Sequence, residues 1–442
     1  MNGSPRQIDL LIQGGIILCM DAERRVLEGH CIAIDKGRIL EICPDSADKY
    51  LPKQSINASD CIVMPGLINL HTHLAMTYFR GLADDLPLER WLNDYIWPLE
   101  ARLLNRDFIY HAALHGAAEM IKNGITQIND MYFNMSAIAD ACTAAGLRAV
   151  IGEVVLDNGN GSPKKREFGS MVLEYRQRYA DNPLIDFCLT PHSIYACSRD
   201  SLEQVVHASR KHNILLHMHL SETRSEVEQC QKERGCKPVQ YLKEIGMLDC
   251  PAIYAHGIWL DEEEIDLLSG TPSSIAICTD SNLKLASGIL PLASYLKKGI
   301  NACFATDGVA SNNNLDILAE MDCTAKLHKA ITGDPCFLPA PQVLAMATVE
   351  SARALGVERQ RGSLEAGKDA DICILSLNGV ESQPLYNPYS QVVYNLGSKQ
   401  VRDVVIQGEV VLRHGVLQKL DEAELLGFSR QYQNQIKAEL KL

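Results

Sequence analysis

The chain has 442 residues, a formal net charge of −13, 46% apolar residues and 22% charged ones. That length exceeds one ordinary domain and predicts a large domain with a smaller companion, both of globular composition. The acidic balance excludes a nucleic-acid surface, which needs clustered Lys and Arg, and no apolar run approaches the roughly 20 residues of a membrane span.

In chain order, Ile8 to Ile12, Gly15 to Cys19, His30 to Ile34 and Arg38 to Cys43 are β-prone runs separated by turns such as Asp35-Lys36-Gly37. From about Pro65 to Leu355, apolar strands alternate with amphipathic segments. Strands are expected at Ile68 to Leu70, Thr126 to Ile128, Ala149 to Val155, Ile185 to Leu189, Ile214 to His219, Ala252 to Tyr254, Ser274 to Ile277 and Ala302 to Ala305. Helices are expected between them, for example Asp107 to Asn123, Ser201 to His212 and Asp261 to Leu268. Eight strand-then-helix units predict an α/β fold, a (β/α)8 TIM barrel over residues 65–359. An open doubly wound sheet would carry a glycine-rich phosphate turn after its first strand; that position here carries histidines. The chain ends as it began, with strands at Asp371 to Leu375, Val401 to Ile406 and Glu409 to Leu412 and a hairpin turn at Gln407-Gly408. Residues 1–64 and 360–442 are therefore expected to form one small, discontinuous β-sandwich domain.

The 15 cysteines form no CxxC pair and sit in apolar stretches (Cys188, Cys278, Cys303, Cys373), the pattern of buried thiols rather than of a disulfide framework. The N-terminus has no basic flank before an apolar run, so a cytoplasmic location is expected.

The chemistry concentrates at strand ends. In Met64-Pro65-Gly66-Leu67-Ile68-Asn69-Leu70-His71-Thr72-His73, a buried strand ends in two histidines one residue apart. Strand side chains alternate, so His71 and His73 point the same way and can chelate a metal. A lone HxH is weak evidence, but three more apolar strands end in His219, His256 and Asp307. His217 shares a face with His219 and is read as packed behind the ligands rather than as a fifth one. Gly362-Ser363-Leu364-Glu365-Ala366-Gly367-Lys368-Asp369 imitates a phosphate loop but has Asp369 in place of Ser or Thr, so a turn is expected.

These residues carry a resemblance to the amidohydrolase superfamily over nearly the whole chain. The matching pieces are MPGLINLHTHLAMT, HLSET, AHG, TDGVASNNNLD and GSLEAGKDADICIL. Within it, RGLADDLPLERWLNDYIWPLE and SNLKLASGI look like the 5′-methylthioadenosine/S-adenosylhomocysteine deaminases. The resemblance implies metal ligands His71, His73, His219 and Asp307. It implies Glu222 as proton shuttle, His256 as a group orienting the attacking water, and Asp307 as both ligand and proton acceptor. Glu100 would contact the ribose hydroxyls, and His192 the nucleoside near purine N3 or ribose. Two-metal relatives carry a lysine at the fourth strand; here His192 stands there, so one divalent ion is expected, zinc first, with iron or manganese as alternatives.

The implied reaction is hydrolytic deamination of an adenosine-type nucleoside. Methylthioadenosine, S-adenosylhomocysteine, 5′-deoxyadenosine and adenosine are the candidate substrates, each giving its inosine analogue and ammonia. Deamination of guanine or 8-oxoguanine, or dechlorination or deamination of a triazine, are rivals on the same scaffold; a metal-free structural protein is the rival of another class. A dimer or tetramer is implied by the family. Lys164, Lys165 or Arg166, in a polar loop after the third strand, could pair with a substrate carboxylate or simply face solvent. One departure stands out: Ile277-Cys278-Thr279 occupies the place where the subgroup shows His-x-Pro, which puts substrate preference in doubt.

Overall fold

Alternation of apolar residues along short strands builds the β-rich part. The computed structural model describes residues 5–45, 49–86, 90–157 and 168–440. The chain groups into two compact units, one of Met1–Asn69, Ala118–Gln127 and Asp316–Leu420, the other of Leu70–Ala117, Ile128–Leu315 and Asp421–Leu442.

In the first unit, Arg38–Pro44, His30–Asp35, Arg6–Gln13 and Tyr50–Asn57 lie side by side in one sheet. A second sheet runs Val416–Leu417, Glu409–Arg413, Val401–Ile406, Ile372–Ser376, Cys61–Pro65, Ile16–Leu18 and Val26–Glu28. The two chain ends meet there, because Cys61–Pro65 pairs antiparallel with Ile372–Ser376. Ile32 and Ile34 join a buried cluster with Val63, Ile372, Ile374 and Val405 of the second sheet, while Cys31 and Ala33, which alternate with them, join a smaller one. Each fully buried Ile contributes about 1.5–3 kcal/mol to that cluster. Gln407 (φ 51°) and Gly408 (φ 76°) make the expected hairpin turn, whose left-handed pair matches the strand twist. The residues 362–369 form turns, as expected.

The parallel strands, which lie mainly in the second unit, are buried at most positions. Leu216–Leu220, Ala252–His256, Ser273–Ile277 and Asn301–Phe304 form one parallel four-strand sheet. Leu67–Thr72, Ile125–Tyr132, Arg148–Val155 and Ile185–Phe187 form another, with Thr190–Pro191 also pairing Arg148–Val155 in parallel. The ladders are thus two sheets rather than the single closed one expected. Two sparse seams join them: a parallel bridge between Leu189 and Leu216, and a hydrogen bond from Asp307 N–H to His71 O at 3.0 Å. Helices alternate with the strands and are capped locally; Asp261, expected as the first helical residue, instead caps Glu262–Leu268 in a capping box with Glu264.

All 15 cysteines are free thiols and eleven are buried. Among the described residues, no helix is long and apolar enough to cross a membrane.

Candidate metal centre

Three strand ends converge. His71 and His73 follow from Leu67–Thr72, His219 from Leu216–Leu220 and Asp307 from Asn301–Phe304. Their ligand atoms all lie within 4.8 Å of one another, and this is the one such group among the described residues. Asp307 Oδ1 stands 3.1 Å from His71 Nε2 and 3.3 Å from His73 Nε2, and His73 Nε2 stands 3.3 Å from His219 Nε2.

The outer nitrogens explain why the inner ones face each other. His73 Nδ1 donates to Met131 O at 2.6 Å and His219 Nδ1 donates to His192 O at 2.9 Å. A carbonyl only accepts, so both Nδ1 atoms carry hydrogen. His71 Nδ1 meets His217 Nε2 at 2.8 Å. These contacts fix the rings with Nε2 inward, the usual support of metal-binding imidazoles. Facing Nε2 lone pairs at such a distance need a cation between them. A proton can bridge two of the four donors, whereas a dication uses all four. The three separations of 3.1–3.3 Å leave room for one ion at ligand bonds of about 2.0–2.1 Å. The donor set therefore fits a divalent metal.

Electrostatics agree. Burial pulls His71 down to about 4, with the Asp307 hydrogen bond opposing, and holds His219 well below the ordinary imidazole range. Both are thus neutral, the form that ligates. Burial also lowers His73, but the Asp307 carboxylate overrides it and lifts that group to about 9. Burial opposes ionisation of Asp307, yet its bonds to His71 and His73 keep it well below the usual carboxylate range. Asp307 Oδ2 accepts from Ser281 Oγ at 2.7 Å and from Ser311 Oγ at 2.6 Å, which leaves Oδ1 for the centre.

Glu222 stands beside this cluster, with Oε2 3.8 Å from His256 Nε2 and Oε1 accepting from Ser287 Oγ at 3.4 Å. Burial raises its pKa. His256 Nδ1 meets Asn282 Oδ1 at 2.9 Å. Glu100, on the Trp97–Leu103 helix, accepts from Tyr132 OH at 2.5 Å and is pushed up to about 7 by burial. His192, pulled down to about 3 by burial, bonds Ser193 Oγ through Nδ1 at 3.1 Å. One cavity of about 730 Å³, counting its open mouth, is lined by His73, His219, Asp307, Glu222, His256, Glu100 and His192, with Trp97, Tyr132 and Leu285 as apolar wall. Every residue expected at the site except His71, which is fully buried behind it, lines that cavity.

Residues 62–411 match the model of the amidohydrolase family. The chain belongs to the amidohydrolase family. This amidohydrolase is 41% identical over 423 residues to a 5-methylthioadenosine/S-adenosylhomocysteine deaminase of Thermodesulfovibrio yellowstonii, covering 94% of this chain and 96% of the relative. It is 41% identical over 419 residues to a 5′-deoxyadenosine deaminase of Methanothermobacter thermautotrophicus, covering 93% and 95%. Among solved structures it is similar to an adenosine deaminase from Xanthomonas campestris with bound zinc, at a TM-score of 0.94, 35% identity, and coverage of 98% and 100%.

Several contributors to the amidohydrolase site escaped sequence reasoning. Ser281, Asn282 and Ser311 hold Asp307 and His256, yet they entered only as letters of SNLKLASGI and TDGVASNNNLD. Asp130, at the end of Ile125–Tyr132, is buried, accepts from Leu74 N–H at 2.6 Å and is raised to about 7 by burial. The departure at Ile277-Cys278-Thr279 leaves a buried Cys278 ahead of the Thr279–Lys284 helix that presents Ser281 and Asn282. The Lys164, Lys165 and Arg166 loop lies outside the described residues, as do residues 87–89 of the RGLADDLPLE run.

Proposed function

We propose that this amidohydrolase is a hydrolytic deaminase of adenosine-type nucleosides: 5′-methylthioadenosine, S-adenosylhomocysteine, 5′-deoxyadenosine or adenosine. The observation that carries the reading is one cavity joining the His71-His73-His219-Asp307 cluster to Glu222 and Glu100, in a chain about 41% identical over nearly its whole length to deaminases of such nucleosides. Those four residues would hold the ion, zinc first, because a zinc-bearing adenosine deaminase shares the fold at 35% identity. A bound divalent ion supplies Lewis acidity, bringing the pKa of water from ~15.7 toward ~7.

The side chains do the rest. Water adds at C6, the exocyclic amine leaves as ammonia, and the inosine analogue results. Glu222 takes a proton from the attacking water and delivers it to ring N1; a carboxyl whose pKa is raised by burial suits both halves of that transfer. His256, held by Asn282, orients the water from the other side of Glu222. Asp307, fixed by Ser281 and Ser311, serves as ligand and takes the second proton of the water, which passes to the exocyclic amine as it leaves. Glu100 accepts hydrogen bonds from the ribose hydroxyls, and His192 approaches purine N3 or the ribose. Trp97, Tyr132 and Leu285 exclude bulk water.

We also propose that the two parallel sheets close through the Leu189–Leu216 bridge and the Asp307–His71 bond into a (β/α)8 barrel. The two terminal sheets, which share a buried cluster, form the β-sandwich domain. The boundaries are placed at 64/65 and 359/360.

Ammonia release and the accompanying ultraviolet shift, measured with added zinc on the four nucleosides, guanine and a chlorotriazine, test the assignment. Turnover of 5′-modified adenosines that vanishes in Glu222→Gln is expected. A metal-loaded enzyme silent on every nucleoside would overturn it.

A further inference from the structure

Glu226 has no role in the reading above, yet it is 5% exposed and sits directly behind Glu222. Both of its carboxylate oxygens accept main-chain N–H groups: Oε1 from Ser221 at 3.0 Å and Oε2 from Glu222 at 2.8 Å. These two residues turn the chain out of the Leu216–Leu220 strand. Ser221 adopts φ 49°, in the left-handed region that a serine occupies only when its surroundings hold it there. The opposite side of the turn is also tied, since Ser221 O accepts from Ile258 N–H at 3.1 Å and Trp259 N–H at 3.0 Å. Glu226 is itself anchored: it lies in the first turn of Arg224–Arg234, where its N–H donates to the capping Thr223 Oγ1 at 3.2 Å.

The Glu222 side chain, by contrast, has few restraints of its own. Its oxygens meet Ser287 Oγ at 3.4 Å and His256 Nε2 only at 3.8 Å. The place of its carboxylate is therefore set by where its main chain is held. We infer that Glu226 is a positioning residue for deamination: its bidentate carboxylate fixes the Ser221–Glu222 turn so that the Glu222 carboxylate stands within reach of the proton it moves. This rests on the reading of Glu222 as the proton carrier. A glutamine at 226 has one acceptor oxygen and would set its NH2 against a main-chain N–H. Glu226→Gln thus breaks one of the two bonds at nearly constant volume.

The test compares wild type, Glu226→Gln, Glu226→Asp, Glu222→Gln and the double variant Glu222→Gln/Glu226→Gln. Each is assayed on the panel member turned over fastest, with excess enzyme where turnover is slow. The readouts are kcat, KM, bound zinc and melting temperature. Glu226→Gln should lower kcat ~10- to 100-fold, the scale of an ångström-sized misplacement of a catalytic group, with KM and bound zinc unchanged. In the Glu222→Gln background the same substitution should cost nothing more, because the group it positions is gone. Glu226→Asp keeps two acceptors on a shorter arm and should recover part of the loss; it carries the comparison if the glutamine variant does not fold. Wild-type kcat in Glu226→Gln, or an equal loss in both backgrounds, would overturn the inference. If Glu222→Gln is inactive and Glu226→Gln is not, only the inference falls. If Glu222→Gln turns over like wild type, the reading of Glu222 falls and takes the inference with it.

Discussion

Glu100→Gln separates a nucleoside enzyme from a free-base enzyme. The carboxylate accepts one hydrogen bond from Tyr132 and lines the cavity, so its other lone pairs are available to a ribose diol. Glutamine keeps the shape but removes the charge. A hydrogen bond to a charged group is worth about 1.5–3 kcal/mol, so kcat/KM on adenosine should fall ~10- to 150-fold. The same substitution should leave 2′,3′-dideoxyadenosine nearly unaffected, because that substrate offers no diol. The pH profile adds a second reading. Burial raises the Glu100 pKa to about 7, while the Tyr132 bond pulls the other way. The carboxylate is the better acceptor, so kcat/KM on adenosine should climb as pH rises through about 7 and flatten above it. The dideoxy substrate and the glutamine variant should both lack that limb. Steady-state deamination followed by ultraviolet absorbance measures all four combinations. Equal losses on diol and dideoxy substrates would refute the placement of the ribose at Glu100.

Three further outcomes are expected. His217→Leu removes the partner of His71 Nδ1 at 2.8 Å and should weaken zinc binding ~10- to 100-fold in a competition with a chromophoric chelator, whereas His217→Gln, which keeps an acceptor, should lose less. Stripping the metal with a chelator should abolish turnover and lower the melting temperature; zinc at 100 times its Kd should restore about 2.7 kcal/mol of stability, and an unmoved melting temperature would contradict a metal bound to the folded state. Gly152→Ala would put a Cβ 2.1 Å from Thr190 Cγ2, between the Arg148–Val155 strand and its neighbour, and overpacking of this kind should cost about 1–3 kcal/mol in a denaturant titration.

What the sequence makes legible here follows from range. The placing of His71 and His73 needs only strand alternation, and both face the centre. The hairpin at Gln407-Gly408 is equally local. The fourth strand was expected as one run from Ile185 to Leu189, but the ladder to Arg148–Val155 is carried by Ile185–Phe187 and again by Thr190–Pro191. Past Pro191, His192 N–H still donates to Val155 O at 3.2 Å, and His192 then lines the cavity. The grip of Ser281 on Asp307 spans 26 residues, and that of Asn282 on His256 another 26. No local pattern distinguishes those two polar residues from any others. Glu226 is the instructive middle case. Thr223-Arg224-Ser225-Glu226 has the spacing of a capping box, which predicts that the glutamate reaches back to the N–H of Thr223. It reaches one and two residues further, to Glu222 and Ser221, because those N–H groups are left open by a strand that ends in a left-handed turn. His256 at φ 71° and Asp307 at φ 62° share that left-handed backbone at their own strand ends. Neither is a glycine, so the residue type announces the turn only weakly. The conformation persists because hydrogen bonds from neighbouring strands hold it: Gly257 N–H donates to Leu220 O at 2.9 Å, and Asp307 N–H to His71 O at 3.0 Å. Strain of this kind gathers where side chains must leave the sheet plane to meet one another, which is why the ligands were readable from the sequence and the means of holding them were not.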